Sequence, residues 1–211
     1  MLLIVLAPLL VAMVMGEGCC PPDAWEGVVG FMIGSVKDKN THLTKGVQMW
    51  HQNITLGMIA IEEELLVDGL KMKLKVIQDY SKKTEYFIMD GKCTKITLVP
   101  STPRCLPENA TLVENTYFGA GSETVAVKIY RFSIRGLETY LTVTAQDCIP
   151  VMAISSGTLP DKQVMKVSEY SGITVGVKDP SVLNIPAICQ SVEVSTGHFP
   201  IMSRWRGSLF H

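Results

Sequence analysis

The run Lys71-Met72-Lys73-Leu74-Lys75-Val76 alternates charge with hydrocarbon at every step. A helix would scatter those lysines around its circumference, whereas a strand places them all on one face, so the stretch predicts a strand with one side in water and the other in a core. The same period recurs along the chain from about residue 28. Glu85-Tyr86-Phe87-Ile88-Met89 runs into Asp90-Gly91, a dipeptide suited to a type I′ hairpin turn, and Lys92 to Leu98 alternates again. Glu123 to Ile134, Glu138 to Ala145 and Val164 to Val177 are rich in Val, Ile, Thr and Tyr, which pack well on a pleated surface. Gly136, Pro150, Gly157-Thr158-Leu159-Pro160 and Asp179-Pro180 read as turn punctuation around them. The one place that allows a helix is Glu62-Glu63-Glu64-Leu65-Leu66, although Ile54 to Ile61 ahead of it alternates and Gly69 cuts it short. The expected architecture is a mostly antiparallel β domain between about Cys20 and Cys189.

Residues 2–15, LLIVLAPLLVAMVM, carry no charged or hydrogen-bonding side chain. At about 14 residues the run is too short for the ~20 of a membrane-spanning helix and suits the core of a signal peptide. Residues 1–16 are therefore read as a signal, with cleavage between 16 and 18. Residues 19–190 form the domain, and 191–211 a loosely held tail that keeps Phe199, Trp205 and Phe210. Secretion agrees with two N-x-[ST] sequons, at Asn53 and Asn109, each predicting a solvent-facing glycan acceptor. It agrees as well with six cysteines at 19, 20, 93, 105, 148 and 189, all beyond the greasy segment. Their even number and the absence of a CxxC or zinc-finger spacing point to three disulfides rather than a metal site. An acidic residue at Glu17 argues against a lipoprotein cleavage box. Cys19 and Cys20 are expected to go to different partners, and Cys105 to pin the proline-rich connection Pro100 to Pro107.

Nineteen basic against 20 acidic residues leave a formal net charge of -1, so no global basic field exists to hold nucleic acid or an anionic membrane. Catalytic patterns are missing too. His42, His51, His198 and His211 stand in no metal-ligating spacing and read as loop or surface residues. Gly119-Ala120-Gly121-Ser122 lacks both a P-loop lysine and the GxSxG spacing, and reads as a turn. Glu62-Glu63-Glu64 with Asp68 lacks the ligand rhythm of an EF-hand and reads as a solvated face.

Taken together, the cysteine neighbourhoods have a further meaning. Cys20-Pro21-Pro22 followed by Trp25-Glu26-Gly27, Tyr86 to Cys93 (YFIMDGKC), Thr144 to Val151 (TAQDCIPV), and Tyr170-Ser171-Gly172-Ile173 running to Pro186-Ala187-Ile188-Cys189 resemble, in this order, the landmark segments of the ependymin family. The likeness covers roughly residues 20 to 190 and is greatest to the invertebrate ependymin-related proteins. It implies a secreted, disulfide-bonded glycoprotein of extracellular fluid, with lysosomal relatives in mammals, associated with calcium binding and cell–matrix adhesion. It also implies antiparallel sheets curved into a half-barrel around a deep apolar pocket, similar to bacterial lipoprotein carriers, and a homodimer. Carried over to this sequence, the resemblance pairs Cys20 with Cys148 and Cys93 with Cys189. Cys19 and Cys105 match no family landmark, and parity alone joins them.

Two functional expectations follow. In the first, a curved sheet with a hydrocarbon inner face binds a lipid or fatty acid. The candidate lining residues are Met72, Leu74, Val76, Leu141, Val143, Ile173, Val175 and Val177. In the second, the protein is a matrix or adhesion component acting through its outer surface, with calcium as modulator. A secreted enzyme has no constellation of residues to support it.

Overall fold

A computed structural model describes residues 18–98, 105–134 and 136–195. The expected signal segment, most of the tail with His198 and His211, and residues 99–104 of the proline-rich connection lie outside them. The described chain is almost entirely strand. Six strands come first: β1 (Ala24–Lys37), β2 (Asn40–Asn53), β3 (Met58–Val67), β4 (Leu70–Asp79), β5 (Thr84–Met89) and β6 (Lys92–Thr97). Five follow: β7 (Thr111–Ala120), β8 (Glu123–Ile134), β9 (Leu137–Thr144), β10 (Pro150–Leu159) and β11 (Lys162–Val175). Each group is an antiparallel meander, and pairing of β1 with β11 joins them into one sheet of order β6-β5-β4-β3-β2-β1-β11-β10-β9-β8-β7. Tight turns hold the hairpins. Asp68-Gly69 and Asp90-Gly91 both take positive φ at both residues, the backbone that a two-residue turn between twisted strands demands.

Partners across a ladder share a face, so the register sorts every strand residue to one side of the sheet or the other. Trp25, Val29, Phe31 and Ile33 of β1 lie on the same side as Gln52, Gln48, Gly46 and Thr44 of β2, and these face with Ile59, Ile61, Glu63 and Leu65 of β3. Most of that set is buried, Ile61 completely. No other layer covers this face among the described elements, so the sheet must shield it by curling upon itself. Its outermost strands, β6 and β7, are not neighbours, and the curl remains an open one rather than a barrel. The opposite face of β3 to β5 is covered by the segment after β11, which contains a 3-10 turn at Pro180–Leu183 and a single helical turn, α1, at Ala187–Gln190. Leu183 and Cys189 pack there with Ala60, Ile77 and Tyr86. Beyond α1, Ser195 N–H donates to the Lys95 carbonyl at 2.8 Å, so the tail as far as 195 is tied to the edge of β6.

Three expectations need correction. The Glu62–Leu66 stretch is strand, within β3, because pairing to β2 and β4 on both sides outweighs the helical preference of glutamate and leucine. Pro150 and Gly157 belong to β10 rather than to turns, and the chain reverses at Pro160-Asp161 instead. The disulfides also differ at the start of the domain. Cys93 is joined to Cys189, but Cys19 is joined to Cys148 and Cys20 to Cys105, in place of the expected Cys20–Cys148 and Cys19–Cys105. Neighbouring side chains on extended backbone point to opposite sides, so each cysteine can serve only one flank. The Leu106 N–H donates to the Cys19 carbonyl at 2.9 Å, which lays the proline-rich connection along the Cys19-Cys20 backbone with Cys105 on the Cys20 side. Cys19 is left facing the turn after β9.

Candidate functional site

The inner face of the curled sheet carries two apolar clusters. Ile59, Ile61, Val76, Phe87 and Ile96 form one, toward β6, and Trp50, Leu74 and Tyr80 pack against it. Phe31, Ile33, Leu65 and Val164 form the other, with Met72, Leu137 and Leu159 beside it. Glycines make room for this packing. A Cβ on Gly46 would stand 2.5 Å from the Glu64 carbonyl oxygen and 3.0 Å from Phe31 Cζ, so the Phe31 ring occupies the space a side chain would take. The indoles of Trp25 and Trp50 lie parallel, with centroids 6.0 Å apart.

Most of the predicted lining residues come to this face. Met72, Leu74 and Val76 project from β4, and Leu141 and Val143 from β9, whose register runs through Ala153 and Ser168 to Phe31. Ile173 is there too, since a Cβ on Gly27 would meet its Cγ1 at 2.8 Å. Val76 and Val143 are buried core, whereas Met72, Leu74, Leu141 and Ile173 keep part of their surface open. Val175 pairs with Trp25 and so shares that face, standing 73% exposed at the end of β11, and Val177 follows the strand. A separate open recess of about 600 Å³ lies between β7 and β8, lined by Asn115, Tyr117, Thr124 and Ala126 among others. None of the predicted lining residues borders it, and its walls mix amide and hydroxyl groups with hydrocarbon.

Sequence reasoning missed the polar groups set into the inner face, where buried Gln52, Gln78 and Glu85 share one row, Gln78 Nε2 donating to Glu85 Oε1 at 2.8 Å, and a second group lies beside it. Tyr170, Val29, Gln48 and Glu63 form one cross-strand row, and Ser168 and Lys166 follow Tyr170 along β11 on the same side. Glu63 is only 2% exposed, so the triple glutamate is not one solvated face: Glu62 and Glu64 look outward and Glu63 inward. Its Oε1 accepts from Gln48 Nε2, while Oε2 is buried without a partner. Burial pushes the Glu63 carboxyl up, although the bond from Gln48 and the charge of Lys166 act against it. Burial also pulls the Lys166 ammonium down to about 8 and raises the Tyr170 phenol. A signal existed in the period of two, which sends the middle member of any three consecutive strand residues to the other face.

The two described histidines, His42 and His51, sit in strand rather than loop. His42 Nδ1 lies 3.1 Å from Asp68 Oδ2, and half-buried His51 lies 3.4 Å from Glu26 Oε2, both from β2. The backbone N–H of Lys178 donates to Glu26 at 3.1 Å and holds that carboxyl below the usual range. Asn109 is exposed and its amide donates to the Ser133 carbonyl. Asn53 is half-buried at the end of β2, where its Oδ1 accepts from Leu56 N–H. Among the described residues no three His, Cys, Asp or Glu side chains converge as a metal site. No helix among them is long and apolar enough to cross a membrane.

Comparison with known proteins adds an independent finding. A family model described as Ependymin matches residues 68–189. The chain is similar to mammalian ependymin-related protein 1 of Mus musculus, 26% identical over 183 residues that cover 84% of this chain and 78% of that protein. It is similar to the Rattus norvegicus protein of the same name, 31% identical over 148 residues, covering 60% of this chain and 65% of that one. Among solved structures, the crystal structure of MucB in complex with MucA(peri) aligns over 73% of this chain and 94% of its own at 7% identity and a TM-score of 0.16, a likeness too slight to bear on the fold.

Proposed function

This chain belongs to the ependymin family, and from that premise we propose that it is a secreted, non-enzymatic glycoprotein holding a hydrophobic small molecule, a lipid or fatty acid, against the inner face of its sheet. The observation that carries the reading is the inner face itself. Hydrocarbon from β4, β9 and β11 converges on one side of a single sheet, with no second layer over it among the described elements, and several of those side chains keep open surface. A soluble protein leaves such a surface unfilled at a cost, unless a ligand takes the place of water. Secretion is supported by six cysteines that are all disulfide-bonded, a state that persists in oxidising compartments. The two sequons support glycosylation.

The test is organic extraction of the protein purified from its native source, followed by lipid mass spectrometry. A fatty acid or other lipid near one per chain supports the reading; protein that is empty and takes up none refutes it.

The outer face supports a second copy of this chain as partner. Met32, Leu43, Val47, Met49 and Met165 are exposed on the adjacent strands β2, β1 and β11, an apolar surface with Lys45 set within it, of the kind found at protein–protein contacts. Sedimentation equilibrium of wild type and of Met49→Lys with Val47→Lys tests this: a dimer that the double variant converts to monomer is the expected result. The alternative role, a matrix or adhesion component, would draw on this same outer surface.

A further inference from the structure

The recess at the free end of the β7–β8 hairpin has a chemistry of its own. β8 pairs with β9 from Val127 onward, so Glu123 to Val125 have a ladder partner on the β7 side alone, and β7 is itself the outermost strand. Every residue from Tyr117 to Ala126 is exposed. At the foot of this tip the N–H of Ala145, just past β9, donates to the Ala126 carbonyl at 2.9 Å, and Ala145 adds to the wall of the recess. The volume of about 600 Å³ lies within the range of small-ligand clefts, about 300–1,000 Å³.

Register fixes what the recess offers. Asn115 and Tyr117 of β7 share one face of the hairpin with Thr124 and Ala126 of β8, since Tyr117 pairs with Ala126 and Gly119 with Thr124. Gly121, Ala126 and Ala145 have little or no side chain and leave the space, while the Asn115 amide and the Thr124 hydroxyl each both donate and accept. Among the described residues neither of these side chains is engaged in a hydrogen bond of the fold. The Tyr117 ring stands 62% exposed, and its ladder partner Ala126 is too small to cover it. It offers a flat apolar face beside hydrogen-bonding groups.

That lining excludes two kinds of occupant. No residue bordering the recess is an acid or a base; Glu114, Glu123 and Lys128 belong to the same hairpin but lie outside the lining, so a charged ligand finds no counter-charge in the walls. A hydrocarbon chain fits no better, because the recess is open to water and its apolar lining is interrupted by amide and hydroxyl groups. A sugar ring has the matching pattern: a face of C–H groups, and a rim of hydroxyls that each donate and accept without charge.

We propose that this recess binds a neutral saccharide, with one ring stacked on Tyr117 and its hydroxyls bonded to Asn115 and Thr124. The site is separate from the inner face of the sheet, and the assignment stands whatever that face holds.

The full disulfide-bonded protein, fluorescently labelled, is applied to an array carrying neutral glycans together with sialylated and sulfated ones. Neutral glycans are expected to be retained and acidic ones not to be preferred over them. Isothermal titration of the best-retained neutral glycan then compares wild type with Tyr117→Ala, Tyr117→Phe and Thr124→Val, whose exposed positions leave the core intact and whose thermal melts confirm folding. Tyr117→Ala is expected to weaken binding about tenfold or more. Tyr117→Phe, which keeps the ring, should stay within about threefold of wild type, and Thr124→Val should fall between the two. An array on which no neutral glycan is retained, or only acidic glycans are, overturns the proposal. Affinity unchanged in folded Tyr117→Ala and Thr124→Val overturns it as well, by placing the sugar elsewhere on the protein. Equal losses in Tyr117→Ala and Tyr117→Phe would refute the stacked ring.

Discussion

Replacing Lys166 by Met takes a buried ammonium out of the inner face and keeps a stem of similar length. In the wild type that group titrates at about 8 in the folded protein, against an ordinary 10.5, because packed protein around it disfavours the charge. A base whose folded pKa is depressed contributes stability above its unfolded pKa and loses it as the pH falls through the folded value. Between about pH 7 and about pH 9.5 the folded chain sheds most of this proton while the unfolded chain keeps its own, and at about 1.4 kcal/mol per pKa unit the wild type gains about 2 kcal/mol. With a urea dependence of about 2 kcal/mol per molar, the unfolding midpoint moves up by about 1 M. Glu63 works from the acid side and in the opposite sense, because a raised carboxyl favours the protonated fold and its contribution falls as the pH climbs through the folded value. The alkaline rise is therefore read as the difference between wild type and Lys166→Met. Urea unfolding followed by tryptophan emission at both pH values measures it, and with every cysteine bonded no thiolate is present to start disulfide exchange. Parallel pH responses in the two proteins would refute the placement of Lys166 in a buried, charge-averse environment.

Other perturbations test the packing and the covalent frame. Gly46→Ala is expected to lower stability by about 1–3 kcal/mol through overpacking, because the new Cβ meets backbone at 2.5 Å, whereas Gly30→Ala, with nothing within 4 Å, should be near neutral; paired thermal melts decide. Replacing Cys93 and Cys189 together by Ala opens a bridge between residues 96 apart. The expected cost is roughly 2–5 kcal/mol, with residues 180–190 losing hydrogen-exchange protection before β3 to β5; uniform loss across the sheet would contradict the view of that segment as a separately pinned strap. Non-reduced peptide mapping should return one fragment cluster holding Cys19, Cys20, Cys105 and Cys148 and a separate pair holding Cys93 and Cys189. Cys93 found with any other partner would undo the frame.

How far the sequence foretold this molecule depended on whether the deciding signal was local. β4 was legible because its lysines and hydrocarbon alternate, and the β5–β6 hairpin because Asp90-Gly91 supplies the turn backbone. β10 was hidden because its Gly157 serves close packing rather than a turn: a Cβ there would meet the Gly136 carbonyl oxygen at 2.5 Å. In β11 the local pattern misleads about facing. Met165 and Val167 look like the inward pair, yet pairing to β1 turns Val164, Lys166, Ser168 and Tyr170 inward and leaves Met165 exposed. Glu63 was masked by its two acidic neighbours in the same way. Register between distant strands decides which face a residue takes, and a one-residue step reverses it. The exchange of Cys19 and Cys20 is the covalent form of the same one-residue ambiguity.

The central claim, that ligand sits on the inner face beside the stacked indoles, is tested most directly by titrating the Trp205→Phe variant, which retains only Trp25 and Trp50, with a long-chain alcohol carrying a bromine quencher near its head. The account predicts saturable quenching of this stacked pair at one equivalent per chain. Emission that stays unchanged while the alcohol demonstrably binds would place the ligand elsewhere on the protein and contradict it.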